Sequence, residues 1–106
     1  MLQEITGTHQ TDANGNPAGG VTNGLGISIQ WQDGPLAVDG VRKAPNGAFC
    51  EGVIAAVVDR LAFYQQSKFS CRENALAITK LEEALHWLQH RTMNREKRGV
   101  EGTHQT

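Results

Sequence analysis

Arg91 and Arg95 stand four residues apart in a segment of helical spacing, so both project from one face. A guanidinium is a planar fork of donors, and two such forks on one face suit the oxygens of two phosphates. Lys97 and Arg98 follow and only Glu96 opposes them, so residues 91–98 carry a local excess of three positive charges. Trp87, one turn before Arg91, can stack with it or with a planar ligand. Asn74 has the donor and acceptor needed to read an adenine edge, and Tyr64 supplies a stacking ring. These residues describe a site for an adenine-bearing diphosphate. A purely structural account exists beside it: the helix macrodipole alone favours a basic C-terminal end, Tyr64 can close a core stripe, and Asn74 can cap or face solvent.

Other reactive side chains make a weaker case. His86 and His90 are also four apart, with Glu82 or Glu83 a turn earlier, a spacing that can hold a metal ion. They fall on the outward helix face without a general-base motif, so a solvated face and no metal is the expectation. Cys50 and Cys71 read as small core fillers. Paired carboxylates, a phosphate loop and a nucleophile elbow are all missing from the sequence, so no catalytic residue and no cofactor is expected.

The elements that must position these residues follow from glycine placement and periodicity. Ten of the twelve glycines precede residue 53, and glycine costs a helix interior ~1 kcal/mol relative to alanine. Residues 1–45 therefore read as a glycine-rich β region. Ile27, Ile29 and Trp31 alternate with polar residues, as in a half-buried strand, and Asp33-Gly34-Pro35 ends it. Leu2–His9 is a second strand, and Asp12–Gly20 between them reads as a loop. The pentapeptide Gly7–Thr11 recurs as Gly102–Thr106, too short a match to be an architectural repeat.

From residue 46 the period changes to that of a helix. Asn46 is a candidate N-cap, and Cys50, Ile54, Val57, Leu61 and Tyr64 form one apolar stripe. Gln65–Phe69 breaks the pattern. Ser70 to Glu73 reads as a capping box, and Ile78, Leu81, Leu85 and Leu88 carry a second stripe toward Arg98, with Gly99 as the stop. The seam positions 74, 78, 81, 85, 88, 92 and 95 are aliphatic in the middle and polar at the ends, as Asn74, Thr92 and Arg95. Residues 46–98 thus form a long antiparallel helical hairpin, and 99–106 a tail. The fold class is α+β, a small antiparallel β patch before a two-helix hairpin.

That scaffold leaves Val53, Val58 and Trp87 needing cover, so a homo-oligomer is expected. It also separates the site residues. Asn74 and Tyr64 lie at the loop end, and the arginines ~25 Å further along the second helix. One protomer cannot bring them to one small ligand, whereas an antiparallel two-fold dimer can.

At 106 residues and formal net charge −1, the chain has one domain's length and lacks the basic excess of a general polyanion binder. A mean hydropathy of −0.42 argues against a membrane span, and two cysteines suit a reducing cytoplasm.

Several segments together resemble a known hairpin: Asn46–Phe49, Arg60–Gln65, Cys71–Ala75, Leu81–Leu85, Arg91-Thr92 through Arg95, and Arg98–His104. It is shared by two phage counter-defence families, the Thoeris anti-defence protein one family and the anti-CBASS protein two family. The strand region around Ile27–Leu36 looks more like the former. The resemblance implies a sponge that sequesters glycocyclic ADP-ribose signals without cleaving them, in the cytoplasm of an infected bacterium. It also implies that some members hold cyclic oligonucleotides in separate pockets of a larger assembly, a dimer or a hexamer built as a trimer of dimers. The signal-binding aromatic, asparagine and two arginines of that family carry over to Tyr64, Asn74, Arg91 and Arg95. Glu101–His104, with Thr103 and His104, is a candidate lining for the second pocket, with simple helix-end packing as the alternative reading. A competing reading is a small nucleic-acid-binding accessory protein using the basic helix end, which the near-neutral charge disfavours.

Overall fold

A computed structural model of the chain describes residues 4–97 apart from 35 and 39. Its elements run β1 (Thr6–Thr11), β2 (Pro17–Gly24), β3 (Ile27–Trp31), β4 (Ala37–Val38), β5 (Val41–Arg42), α1 (Cys50–Gln65) and α2 (Arg72–Lys97). The chain divides into two compact units at Phe49/Cys50, a β unit and a helical unit. The expected α+β class, with strands first and a helical hairpin after, is what the chain adopts.

In the β unit, β1, β2 and β3 form an antiparallel sheet in that order, and β4 pairs with β5 as a separate short hairpin. The central strand is β2, the first half of which the sequence reads as loop. Its first residues, Pro17-Ala18-Gly19-Gly20, carry turn-type composition and little strand propensity. They are strand because both neighbours approach closely. Gly20 pairs with His9 on one side and Trp31 on the other, and a Cβ there would collide with the Thr8 carbonyl. The true loop is shorter, and ordered. The Asp12 carboxylate accepts the backbone N–H groups of Asn14 (2.9 Å) and Asn16 (3.0 Å), closing the turn between β1 and β2. The strand expected over Leu2–His9 is shifted to Thr6–Thr11, with residues 1–3 outside the described set.

Beyond β3, two side-chain amides fasten residues 46–48 to the sheet edge. Asn46 accepts the Asp33 N–H through Oδ1 (2.8 Å) and donates through Nδ2 to the Asp33 carbonyl (2.9 Å). Gln32 Oε1 accepts the N–H groups of Asn46 (2.9 Å) and Gly47 (3.3 Å). Ala48 then bridges β3, donating to the Gln30 carbonyl (2.8 Å) and accepting from the Gln32 N–H (3.0 Å). Asn46 is therefore not the helix N-cap. Its amide imitates a strand's donor and acceptor, and α1 begins four residues later.

The helical unit is an antiparallel pair. Its turn is closed by another amide: Gln65 accepts the Cys71 N–H and donates to the Cys71 carbonyl, both at 3.0 Å. Helix α2 starts at Arg72, so Cys71 holds the N-cap position, and its carbonyl accepts from the Ala75 N–H (3.3 Å). The capping box read over Ser70–Glu73 is out of register by one residue. Among the described residues Ser70 instead donates its N–H to the Ser67 carbonyl (3.3 Å).

Half-buried residues of α2 trace Asn74, Ala77, Ile78, Leu81, Ala84, Leu85, Leu88 and Thr92, matching the expected seam as far as Thr92. On α1 the expected stripe holds at Ile54, Leu61 and Tyr64, with Val58 and Gln65 also half-buried, whereas Val57 is 45% exposed. Cys50 and Cys71 are both exposed thiols, not core fillers. No residue of α1 is fully buried. Two helices can shield only one stripe each, so Val57, Phe63, Leu76 and Trp87 remain at the surface of the unit.

Candidate ligand-binding site

Tyr64 and Asn74 lie at the closed end of the hairpin. The Tyr64 carbonyl accepts the Ser67 hydroxyl (2.6 Å) and N–H (3.0 Å), which binds the last turn of α1 to the loop. Asn74, half-buried in the first turn of α2, directs Nδ2 toward the Phe69 carbonyl at 3.5 Å, a weak contact that leaves the amide available. The loop end of the hairpin thus carries an aromatic ring on α1 and an amide on α2.

Arg91 lies at the open end. One terminal nitrogen of its guanidinium is 3.9 Å from Glu51 Oε2, and Glu51 sits in the first turn of α1. Arg95 occupies the next turn of α2, within the helix that continues to Lys97. Tyr64 and Asn74 therefore stand at the loop end of the hairpin, and seventeen residues of helix, ~25 Å, separate Asn74 from Arg91. Thr103 and His104 lie outside the described residues.

Two groups at these ends were not singled out from spacing. Glu51 is forty residues from Arg91 in sequence, and becomes its partner only through the hairpin register. Arg60 was legible, because it stands three residues before Phe63 and four before Tyr64. Its guanidinium carbon lies 5.0 Å from the Phe63 ring centre and 4.8 Å from that of Tyr64, and its Nε donates to the Tyr64 hydroxyl at 3.1 Å. Trp87 is 69% exposed and meets His86 and His90 edge-on, with ring centres 6.3 and 6.0 Å away. Both imidazoles therefore flank an indole. Among the described residues no three metal-ligating side chains gather.

The Glu51–Arg91 contact bears on anion binding. A carboxylate stands 3.9 Å from the fork, so a phosphate bound by Arg91 meets its negative charge. The Arg91 side chain is 59% exposed and that of Glu51 29%, so the pair contributes at most about 1 kcal/mol. Glu51 also complements the positive end of α1, worth ~0.3–1 kcal/mol. Glu51→Gln is expected to shift two quantities in opposite directions. Thermal stability should fall slightly, while affinity for a diphosphate ligand rises about two- to five-fold, as RT ln K requires for up to ~1 kcal/mol. Calorimetric titration beside a melting curve checks both signs.

Among the described residues no helix is long and apolar enough to cross a membrane. Comparison with known proteins adds the family. The hairpin domain described as Acb2/Tad1 matches residues 26–93, from the start of β3 almost to the end of α2. A relative from Bacillus phage SBSphiJ7, "Thoeris anti-defense 1", is 54% identical over 78 residues, or 74% of this chain. The chain spans about half of that relative's length (52%). Tyr64, Asn74 and Arg91 fall inside the family-matched segment, whereas Arg95, Thr103 and His104 lie beyond it. The family match over residues 26–93, well more than half the sequence, together with the phage relative, places this chain in the Acb2/Tad1 hairpin family, on its Thoeris anti-defence side.

Proposed function

We propose that the chain is a phage counter-defence sponge, which binds a cyclic adenine-nucleotide signal of the glycocyclic ADP-ribose class and holds it without cleaving it. The observation that carries this reading is the division of labour along one hairpin. An aromatic and an amide stand at one end, and a pair of arginines four residues apart stands at the other. Those are the halves of a site for a base and a diphosphate, and an antiparallel two-fold pairing joins the halves of two chains. Tyr64 and Asn74 of one chain then hold the adenine, while Arg91 and Arg95 of its partner clamp the diphosphate. The name of the phage relative, an anti-defence protein against Thoeris, supports the biological role.

Self-association has a second motive. Val57, Leu76 and Trp87 are 45%, 45% and 69% exposed on the helical unit, apolar surface that a second copy would cover. Holding a scarce signal requires nanomolar binding, about −12 kcal/mol, and rigid helices lower the ordering cost of reaching it. No turnover is needed, since Tyr64, Asn74, Arg91 and Arg95 hold the ligand by stacking, hydrogen bonds and charge.

The test is calorimetry with glycocyclic ADP-ribose, linear ADP-ribose and a panel of cyclic oligonucleotides, combined with light scattering. The reading expects tight binding of at least the first, at one site per pair of half-sites, by a dimer or a multiple of it. A stable 11.5 kDa monomer that binds none of them overturns it. Steeply salt-dependent binding to DNA or RNA instead would favour the nucleic-acid reading.

A further inference from the structure

We propose that Arg60 is a positioning residue for the base, acting through Tyr64. This rests on the reading of Tyr64 as the ring that meets the adenine. Arg60 projects from α1 one turn before Tyr64, and it is exposed to solvent. It holds the phenol twice, by a hydrogen bond from Nε to the hydroxyl (3.1 Å) and by a guanidinium 4.8 Å from the ring centre. The same guanidinium lies 5.0 Å from the Phe63 ring, and Phe63 and Tyr64 are tilted 54° to one another. One cation therefore ties two neighbouring aromatic rings of the loop end into a fixed arrangement.

A free tyrosine at a half-buried position rotates about two side-chain bonds, and a base that stacks on it must first select one arrangement. Arg60 makes that selection before the ligand arrives. Lysine cannot replace it fully, because a point charge keeps the attraction to the rings but lacks the directed Nε–H. Its contribution to affinity is thus routed through the Tyr64 side chain, by hydroxyl and ring together, and this separates it from Arg91 and Arg95, whose assigned role is direct contact with phosphate.

A double-mutant cycle on the full chain decides it, with glycocyclic ADP-ribose as the probe. Arg60→Ala should weaken binding roughly ten-fold, Tyr64→Phe several-fold, and the double variant no more than Arg60→Ala alone. Arg60→Lys should recover part of the loss. Tyr64 is the chain's single tyrosine, so its Raman doublet reports the hydroxyl's hydrogen bonding without a label, and Arg60→Ala should shift it in unliganded protein. Two outcomes overturn the proposal while leaving the proposed function intact: parent-like affinity of Arg60→Ala, or losses that multiply in the double variant and so mark Arg60 as an independent ligand contact. If the parent binds no member of the nucleotide panel, the proposed function fails and this role fails with it. If the parent binds but the Raman doublet does not change in Arg60→Ala, the Arg60–Tyr64 bond is refuted.

Discussion

Arg91→Ala is expected to lower affinity for glycocyclic ADP-ribose about 30-fold to several thousandfold while leaving the melting temperature nearly unchanged. The size follows from what is lost. Truncating one partner of a desolvated charge pair costs ~2–5 kcal/mol, because the phosphate stays buried without its counter-charge, and each 1.4 kcal/mol is tenfold in affinity. The small effect on folding follows from the unliganded pair, where the Arg91 side chain is 59% exposed and meets Glu51 at 3.9 Å. Arg95→Lys should weaken binding as well, since an ammonium cannot reproduce the planar fork. Asn74→Ala should weaken it less, because its hydrogen bonds are neutral. Calorimetry with the oligomeric state checked in parallel separates a lost contact from a lost assembly. Parent-like binding by both arginine-to-alanine variants contradicts the site.

The largest effect on folding is expected at Gly47. A Cβ built there lies 2.6 Å from the carbonyl carbon and oxygen of Trp31 and 2.7 Å from the Gln32 nitrogen. All three atoms are backbone, and none can swing aside. Ala48 fixes that approach by its two hydrogen bonds to β3, and Gln32 fixes it again through Asn46 and Gly47. Gly47→Ala must therefore prise the segment from the sheet edge, costing about 2–3 kcal/mol as other overpacked sites do. In a chain of this size that is a fall of roughly 10–20 °C in melting temperature. Gly52 is the internal control. It lies in α1 with nothing within 4 Å of its missing Cβ, so Gly52→Ala should raise stability by up to ~1 kcal/mol. Thermal melts of the two variants should move in opposite directions, and a Gly47→Ala protein as stable as its parent would show the contact to be wrong.

The periodic features were legible in advance and the side-chain amides were not. The α2 seam from Asn74 to Thr92 emerges directly from apolar spacing, because a long helix repeats its signal every turn. The break between the helices was placed nearly correctly for the same reason. Asn46 and Gln65 defeated that reasoning. Each uses its amide to bond a backbone N–H and carbonyl elsewhere, thirteen and six residues away, and neither partner is marked by any repeat. Strand β2 was hidden by its own composition, since Gly19-Gly20 signals a turn until the Thr8 carbonyl shows why no side chain fits. Of the proposed site, Tyr64, Asn74, Arg91 and Arg95 are read from residue type and family resemblance, and the ends of the hairpin where they sit follow from the seam. Glu51 required the register of two helices, which spacing within one helix does not contain.

The central claim is retention without chemistry, and one measurement addresses it most directly. Glycocyclic ADP-ribose is incubated with a stoichiometric amount of the protein, the protein is removed by heat, and the released nucleotide is analysed by mass and chromatographic retention. The account predicts depletion of free ligand in proportion to protein, then recovery of the intact cyclic molecule after denaturation. Recovery of a linear or hydrolysed product, or free ligand undiminished before heating, contradicts it.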